Sequence, residues 1–197
     1  LAASADRLSG TVPVLATDGA PSHAVLATAE AAWLVALDAP GIAQQPGTLT
    51  NGEPASALTV TAAPARRLGL PGNGALWLRA RAALCLVALQ QGVASGALAE
   101  TARYVTQREQ FGRPIGSFQA VGHRAADAFT DIEVVRTLML ELAWKLDAGA
   151  DPGTSPDIAL YWANQCSHRV AHTAMHLHGG MGADISYPIH QALLWAR

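Results

Sequence analysis

The residues from Tyr104 to Gln119, YVTQREQFGRPIGSFQ, concentrate chemistry in a place that needs little of it. A turn between two helices requires Gly and Pro, supplied here by Gly112, Pro114 and Gly116. Arg108, Phe111 and Gln119 exceed that requirement. Arg presents a planar fork suited to a phosphate, and Phe can lie against a flat ring. The plainer alternative is a surface Arg beside a core Phe at a helix end. A second concentration is His178-Gly179-Gly180-Met181-Gly182. It follows a helical pattern and not a strand, which separates it from the glycine fingerprint of a dinucleotide-binding βαβ unit. A helix stop uses one Gly; a run of them leaves room for something to approach the backbone closely. His168, His172 and His176 form a third group, sharing one helix face. Two such His can hold zinc when a carboxylate stands nearby. Here Arg169, Val170 and Ala171 intervene, and no Asp or Glu lies between Asp157 and Asp184. Partial burial at a helix interface is the favoured reading for these His, with a metal site the minor alternative.

Two kinds of structure must position these side chains. Residues 1–70 read as an antiparallel β-domain, sandwich or barrel in part. Turn signals at Ser9-Gly10, Asp18-Gly19 and Asn51-Gly52 separate short strands at residues 11–15, 22–28, 31–37 and 57–62. The last of these alternates apolar and polar as a half-buried strand does. Leu70-Pro71-Gly72-Asn73-Gly74 marks a domain boundary, and residues 71–197 read as an antiparallel four-helix bundle. The fold class is therefore α+β.

The first helix is expected to run to about Gln107, roughly 50 Å at 1.5 Å per residue. Its apolar face is Leu76, Ala80, Leu84, Val87, Gln91, Ala94, Leu98, Ala102 and Val105. Gly92 and Gly96 within it imply close approach of another element, since Gly costs about 1 kcal/mol against Ala in a helix. The second helix is expected over 117–148 with Ser117 as N-cap, facing inward with Phe118, Val121, Ala125, Phe129, Ile132, Val135, Met139, Leu142 and Leu146. The third starts at Ser155-Pro156-Asp157, with Ser155 as N-cap, and stops at Gly179. A short helix over 188–196 closes the chain.

The 197 residues are 50% hydrophobic and 14% charged, against roughly 25% charged in ordinary domains. Surface covered by a partner subunit accounts for that deficit most simply. A net charge of -2 gives no electrostatic footprint for nucleic acid. Cys85 and Cys166 have no motif spacing and read as free buried thiols in a reducing cytoplasm. The longest apolar run, 82–89, is far short of the ~20 residues of a membrane span. The opening LAASADRLSG lacks the basic and apolar regions of a signal peptide, and the chain does not begin with Met.

At RYVTQREQFGRPIGSFQAVGHRAAD the chain resembles the C-terminal helical domain of the acyl-CoA dehydrogenases. The matching pattern is Tyr, Arg-x-x-Phe-Gly, Pro-Ile, Phe-Gln and a following Ala-Asp. HLHGGMGADISYP resembles the same family's Gln-x-x-Gly-Gly-x-Gly…Tyr-Pro segment, and the strand-rich start resembles the end of its middle β-domain. The resemblance implies a flavoprotein that oxidises an acyl-CoA to its 2,3-enoyl-CoA. It implies that Arg108, Phe111, Gln119, His176, Gly179 and Gly180 hold the ADP part of an FAD whose flavin lies in a neighbouring subunit. His176 stands where the family has Gln, and Leu194-Trp195 where it has Arg-Asp.

The family's base is a Glu in one of two places. One corresponds to Ala82 and the other lies beyond Arg197. Alanine cannot abstract a proton, and no acid lies between Asn73 and Ala99. The family's N-terminal helical domain and early β-segment have no counterpart in these residues. The resemblance thus implies a base-less, FAD-sharing subunit of a heteromeric, α2β2 acyl-CoA dehydrogenase. Its partner would be a homologous catalytic subunit that binds most of the acyl-CoA. The similarity extends to actinobacterial steroid-CoA enzymes. Two alternatives are a fragment of a homomeric enzyme whose base lies past Arg197, and a structural subunit without FAD contact.

Overall fold

The structure, a computed structural model, describes residues 1–17 and 21–196; the expected turn at Asp18-Gly19 lies outside them. The chain divides into two compact units, Leu1–Arg81 and Ala82–Arg197. The fold class is α+β, as the sequence implies.

The first unit is antiparallel throughout its described strands. β1 (Ala2–Ser4), β2 (Arg7–Ala16), β6 (Pro54–Pro64) and β5 (Ile42–Thr48) form a four-stranded sheet in that order. β3 (His23–Ala27), β4 (Ala32–Ala36) and β7 (Arg66–Arg67) form a three-stranded one. In β6, Leu58 and Val60 are buried while Thr59 and Thr61 are exposed, so the alternation is real. They join Leu8, Leu26, Trp33 and Val35 in one apolar cluster. Ser9-Gly10 is not a turn. It lies inside β2, where the register with β6 shifts between Leu8 and Gly10 and Gly10 takes φ 134°. A bulge and a turn use the same residue types. β1, β5 and β7 escape the pattern because few of their side chains are buried.

α1 (Gly74–Gln107) starts at a side-chain cap: Asn73 Oδ1 accepts from the backbone N–H of Ala75 at 3.0 Å and Leu76 at 3.1 Å. Its buried seam differs from the expected face. Val87, Ala94, Ala97, Thr101 and Val105 are buried, Leu84 and Leu98 half-buried, and Leu76 and Ala102 exposed. From Ala82 to Ala99 the helix carries no charge on any side, so periodicity alone cannot select the inward face. The expected close neighbour at Gly92 and Gly96 is also missing among the described residues, since a Cβ at either position meets open space. By length and composition α1 would suffice to cross a membrane, with mean hydropathy 1.6 over 18 residues. The run 82–89 understated this, because Gln and Gly interrupt the apolar stretch without adding charge. Val87, Ala94 and Ala97 nevertheless enter the core shared with the other helices.

α2 (Gln119–Asp147) and α3 (Ser155–His178) pack antiparallel. Asp131 receives two hydrogen bonds from Arg169, at 2.7 and 2.8 Å. Nearer the connecting loop, Lys145 Nζ donates to Ser155 Oγ at 2.7 Å and pairs with Glu141 at 2.6 Å. The N-caps are Phe118 and Thr154, not Ser117 and Ser155, and neither makes a side-chain cap bond. Ser117 Oγ donates instead to the Pro114 carbonyl, and Ser155 is occupied by Lys145. Ala128 takes the core position that periodicity assigned to Phe129, which is exposed. α4 (Ile189–Trp195) closes the unit, its Trp195 carbonyl accepting from Gln90 on α1 at 2.8 Å. Cys166 is buried and burial pushes its thiol up to about 11, whereas Cys85 is exposed, contrary to expectation.

Candidate functional site

The connection from α1 to α2 is not a plain turn. It holds a two-stranded hairpin, β8 (Glu109–Gln110) with β9 (Arg113–Pro114), then a single 3-10 turn over Ile115–Ser117. The hairpin loop is Phe111-Gly112, with φ 56° and 75°. Positive φ at both central residues is what a type I′ turn demands, and Asn-Gly is its preferred pair. Phe in the left-handed region is strained, at a cost of order 1–3 kcal/mol. Phe111 is also 91% exposed, its ring meeting the edge of Phe118 at a centroid distance of 6.1 Å. Phe118 in turn carries Arg113 over its face at 4.1 Å.

The hairpin is anchored on α1. The Ile115 N–H donates to the Arg108 carbonyl at 2.8 Å, and a Cβ on Gly116 would come within 3.0 Å of the Val105 carbonyl. The Arg108 side chain is exposed and has no hydrogen bond or ion pair among the described residues. Gln119 opens α2 with its side chain likewise exposed and unengaged.

At the end of α3, Gly179–Ala183 forms a second 3-10 turn. Its glycines have separate reasons. Gly179 takes φ 61° as the residue that ends the helix. A Cβ on Gly182 would stand 2.4 Å from the Met175 carbonyl oxygen, too close to exist without a backbone shift. Gly180 has neither a positive φ nor a neighbour within 4 Å of a Cβ. The chain's own packing therefore accounts for Gly179 and Gly182 but not for Gly180. Beyond the turn, Asp184 accepts from the N–H and hydroxyl of Ser186 at 2.8 and 2.7 Å. Those donors hold its carboxyl below the usual range.

The two turns are joined by aromatic packing. Tyr104, one helical turn before Arg108, stacks on His178, the residue before Gly179, at 4.3 Å and 23°. The candidate residues stand out in the sequence, but this connection does not. Tyr104 and His178 are far apart along the chain, and only the bundle brings the ends of α1 and α3 together. His176 is exposed on the last turn of α3.

Ala82 is exposed on α1. The single acid of that helix, Glu100, lies roughly 27 Å further along by helical rise and is engaged by Arg103 at 2.5 Å. His168 and His172 are exposed and not partly buried, with rings 4.4 Å apart. They border a cleft of about 540 Å³ between α2 and α3, along with Arg124, Asp127 and Asp131. No group of three or more His, Cys, Asp or Glu among the described residues is placed to hold a metal ion.

Residues 75–197 match the family described as "Acyl-CoA dehydrogenase, C-terminal domain". The chain is 38% identical to "Acyl-CoA dehydrogenase FadE27" of Mycobacterium tuberculosis over 97% of its own length and 55% of that protein's. Among solved structures it superposes on a variant of the Tcur3481-Tcur3483 steroid ACAD with TM-score 0.92 and 40% identity, covering 98% of this chain and 55% of that one. The ChsE4-ChsE5 complex of Mycobacterium tuberculosis gives TM-score 0.84 and 35% identity over 96% of this chain and 54% of that one. The chain thus spans 54–55% of the length of these three relatives.

Proposed function

Because the chain belongs to the acyl-CoA dehydrogenase family, we propose that it is the FAD-sharing subunit of a heteromeric acyl-CoA dehydrogenase. In this reading it clamps the ADP end of the dinucleotide, while a homologous partner contributes the catalytic base and the flavin ring site. The observation that carries the reading is Phe111: a bulky aromatic held at φ 56° and 91% exposed. Among the described residues only the edge of Phe118 meets that ring, whereas a flat ring laid against it would offset the strain and the exposure.

The remaining residues fit a dinucleotide. Arg108 offers an unengaged guanidinium for the pyrophosphate. Gly180 offers bare backbone where side-chain space is open. Gln119 and His176 offer hydrogen-bonding side chains at the start of α2 and the end of α3. When bound, the flavin supplies the hydride acceptor for α,β-dehydrogenation of the acyl-CoA. This chain's residues bind and orient the far end of the cofactor and exclude water from it. Ala82 at the base position supports a non-catalytic role, since a methyl group moves no proton.

The uncharged, outward-facing stretch of α1, with Leu86 and Leu89 exposed, supports a partner subunit. The arrangement proposed is an α2β2 complex in the cytoplasm. Similarity to the Tcur3481-Tcur3483 steroid ACAD and the ChsE4-ChsE5 complex supports a two-chain assembly and a steroid CoA thioester as substrate.

Co-expression with a candidate catalytic subunit tests this. The assembled complex is expected to carry flavin absorbance, and Arg108→Ala to lower the flavin bound per complex at least tenfold at limiting FAD. Full flavin binding and turnover by this chain alone would favour a homomeric enzyme. Unchanged flavin in Arg108→Ala and Phe111→Ala would favour a structural subunit.

A further inference from the structure

The two halves of the proposed clamp sit on different helices, and something must hold them in one geometry. His178 is 2% exposed, although it directly precedes the open Gly179-Gly180 turn. Its Nδ1 lies 2.8 Å from the Ala174 carbonyl. A carbonyl only accepts, so Nδ1 carries the hydrogen and Nε2 holds the lone pair in the neutral ring. Nε2 is buried with no hydrogen-bond partner among the described residues. One face of the ring is stacked on Tyr104, and Tyr187 lies 5.4 Å away at 50°. The ring is therefore fixed by one hydrogen bond to its own helix and by aromatic packing to α1.

That packing has consequences at both ends. The Arg108 N–H donates to the Tyr104 carbonyl at 2.8 Å, so the Arg108 backbone moves with Tyr104. Gly179 is covalently next to His178, and Gly182 sits tightly on Met175 one turn earlier. Displacing the His178 ring would let the glycine turn shift relative to the hairpin without unfolding either.

We infer that His178 is a positioning residue for the dinucleotide: stacked on Tyr104, it locks the Gly179-Gly180 turn and the Arg108–Phe111 hairpin into one binding surface. This rests on the FAD-sharing reading above. A residue that only fills the core would affect melting alone. A positioning residue affects cofactor affinity and is rescued by a ring that keeps the stack.

The test uses the assembled complex and reads the dissociation constant of FAD by flavin fluorescence, alongside Tm and kcat per bound flavin. His178→Ala is expected to weaken FAD at least tenfold with kcat per bound flavin unchanged. His178→Phe, which keeps the ring and loses the Nδ1 hydrogen bond, should stay within about threefold of the parent; a tenfold change in the dissociation constant corresponds to about 1.4 kcal/mol. Tyr104→Leu should reproduce the Ala effect, and the double variant should be no worse than either single one, because both break the same contact. If His178→Ala does not assemble, Tyr104→Leu alone decides, with tenfold weakening as support and an unchanged constant as refutation. A lowered Tm with unchanged FAD affinity in His178→Ala would overturn the inference. If Arg108→Ala also leaves FAD affinity unchanged, the cofactor reading itself has failed. If Arg108→Ala releases FAD and the His178 and Tyr104 variants do not, only the positioning role has failed.

Discussion

The turns after α1 and α3 reverse the chain under the same backbone constraint and meet it with different residues. After α3, the left-handed position is filled by Gly179 and the tightest contact by Gly182, the residue type that costs least in each place. After α1, the two left-handed positions hold Gly112 and Phe111. Gly112 is again the inexpensive choice and Phe111 is not. Each turn thus contains residues that its own conformation demands and one that it does not: Gly180 in the first, Phe111 in the second. The difference separates what folding asks of a turn from what remains for a ligand.

Three substitutions break or sharpen that contrast. The largest effect is expected from Gly182→Ala, where the added methyl meets the Met175 carbonyl at 2.4 Å. Overpacking against backbone should cost roughly 2–3 kcal/mol and lower Tm by about 4–12 °C in thermal unfolding followed by circular dichroism. An unchanged Tm would mean that the glycine turn is looser than its geometry implies.

Phe111→Asn should act in the opposite direction on stability. Asn tolerates the left-handed conformation, and a gain of about 1 kcal/mol is expected in urea unfolding. Flavin retention by the complex should nevertheless fall. Should the variant be both less stable and fully flavinated, Phe111 would be a folding residue after all.

The smallest effect on the fold belongs to Gly180→Ala. Its stability should remain within about 0.5 kcal/mol of the parent, since the new methyl meets nothing. Equilibrium dialysis with FAD should still register weaker binding by the complex. Equal binding would remove Gly180 from the site and leave the hairpin as its sole support.

Long elements were legible from sequence, and short ones were not. α1, α2 and α3 announce themselves through length, Gly and Pro punctuation, and the Ser155-Pro156-Asp157 start. β1, β7, β8 and β9 are strands of two or three residues, held by pairing with distant or adjacent partners and not by any pattern of their own. Burial within the helices is less legible in the sequence than their extent. The inward seam of α1 and the choice of Ala128 over Phe129 depend on which neighbours arrive, and an apolar helix gives no preference in advance.

The candidate site divides along the same line. Residue types marked Arg108, Phe111, Gln119, Gly179 and Gly180 as candidates, because their chemistry exceeds what a turn or a helix stop needs, whereas His176 became one only through the family resemblance. That Ala82 stands at the base position is likewise what the resemblance implies; the absence of an acid between Asn73 and Ala99 is read from the sequence itself. Tertiary structure alone decided that Phe111 is strained and exposed, that Gly182 is a packing glycine and Gly180 is not, and that Tyr104 meets His178. Those are facts about φ angles and through-space contacts. A linear chain specifies them only once the ends of α1 and α3 have been brought together by a core that both share.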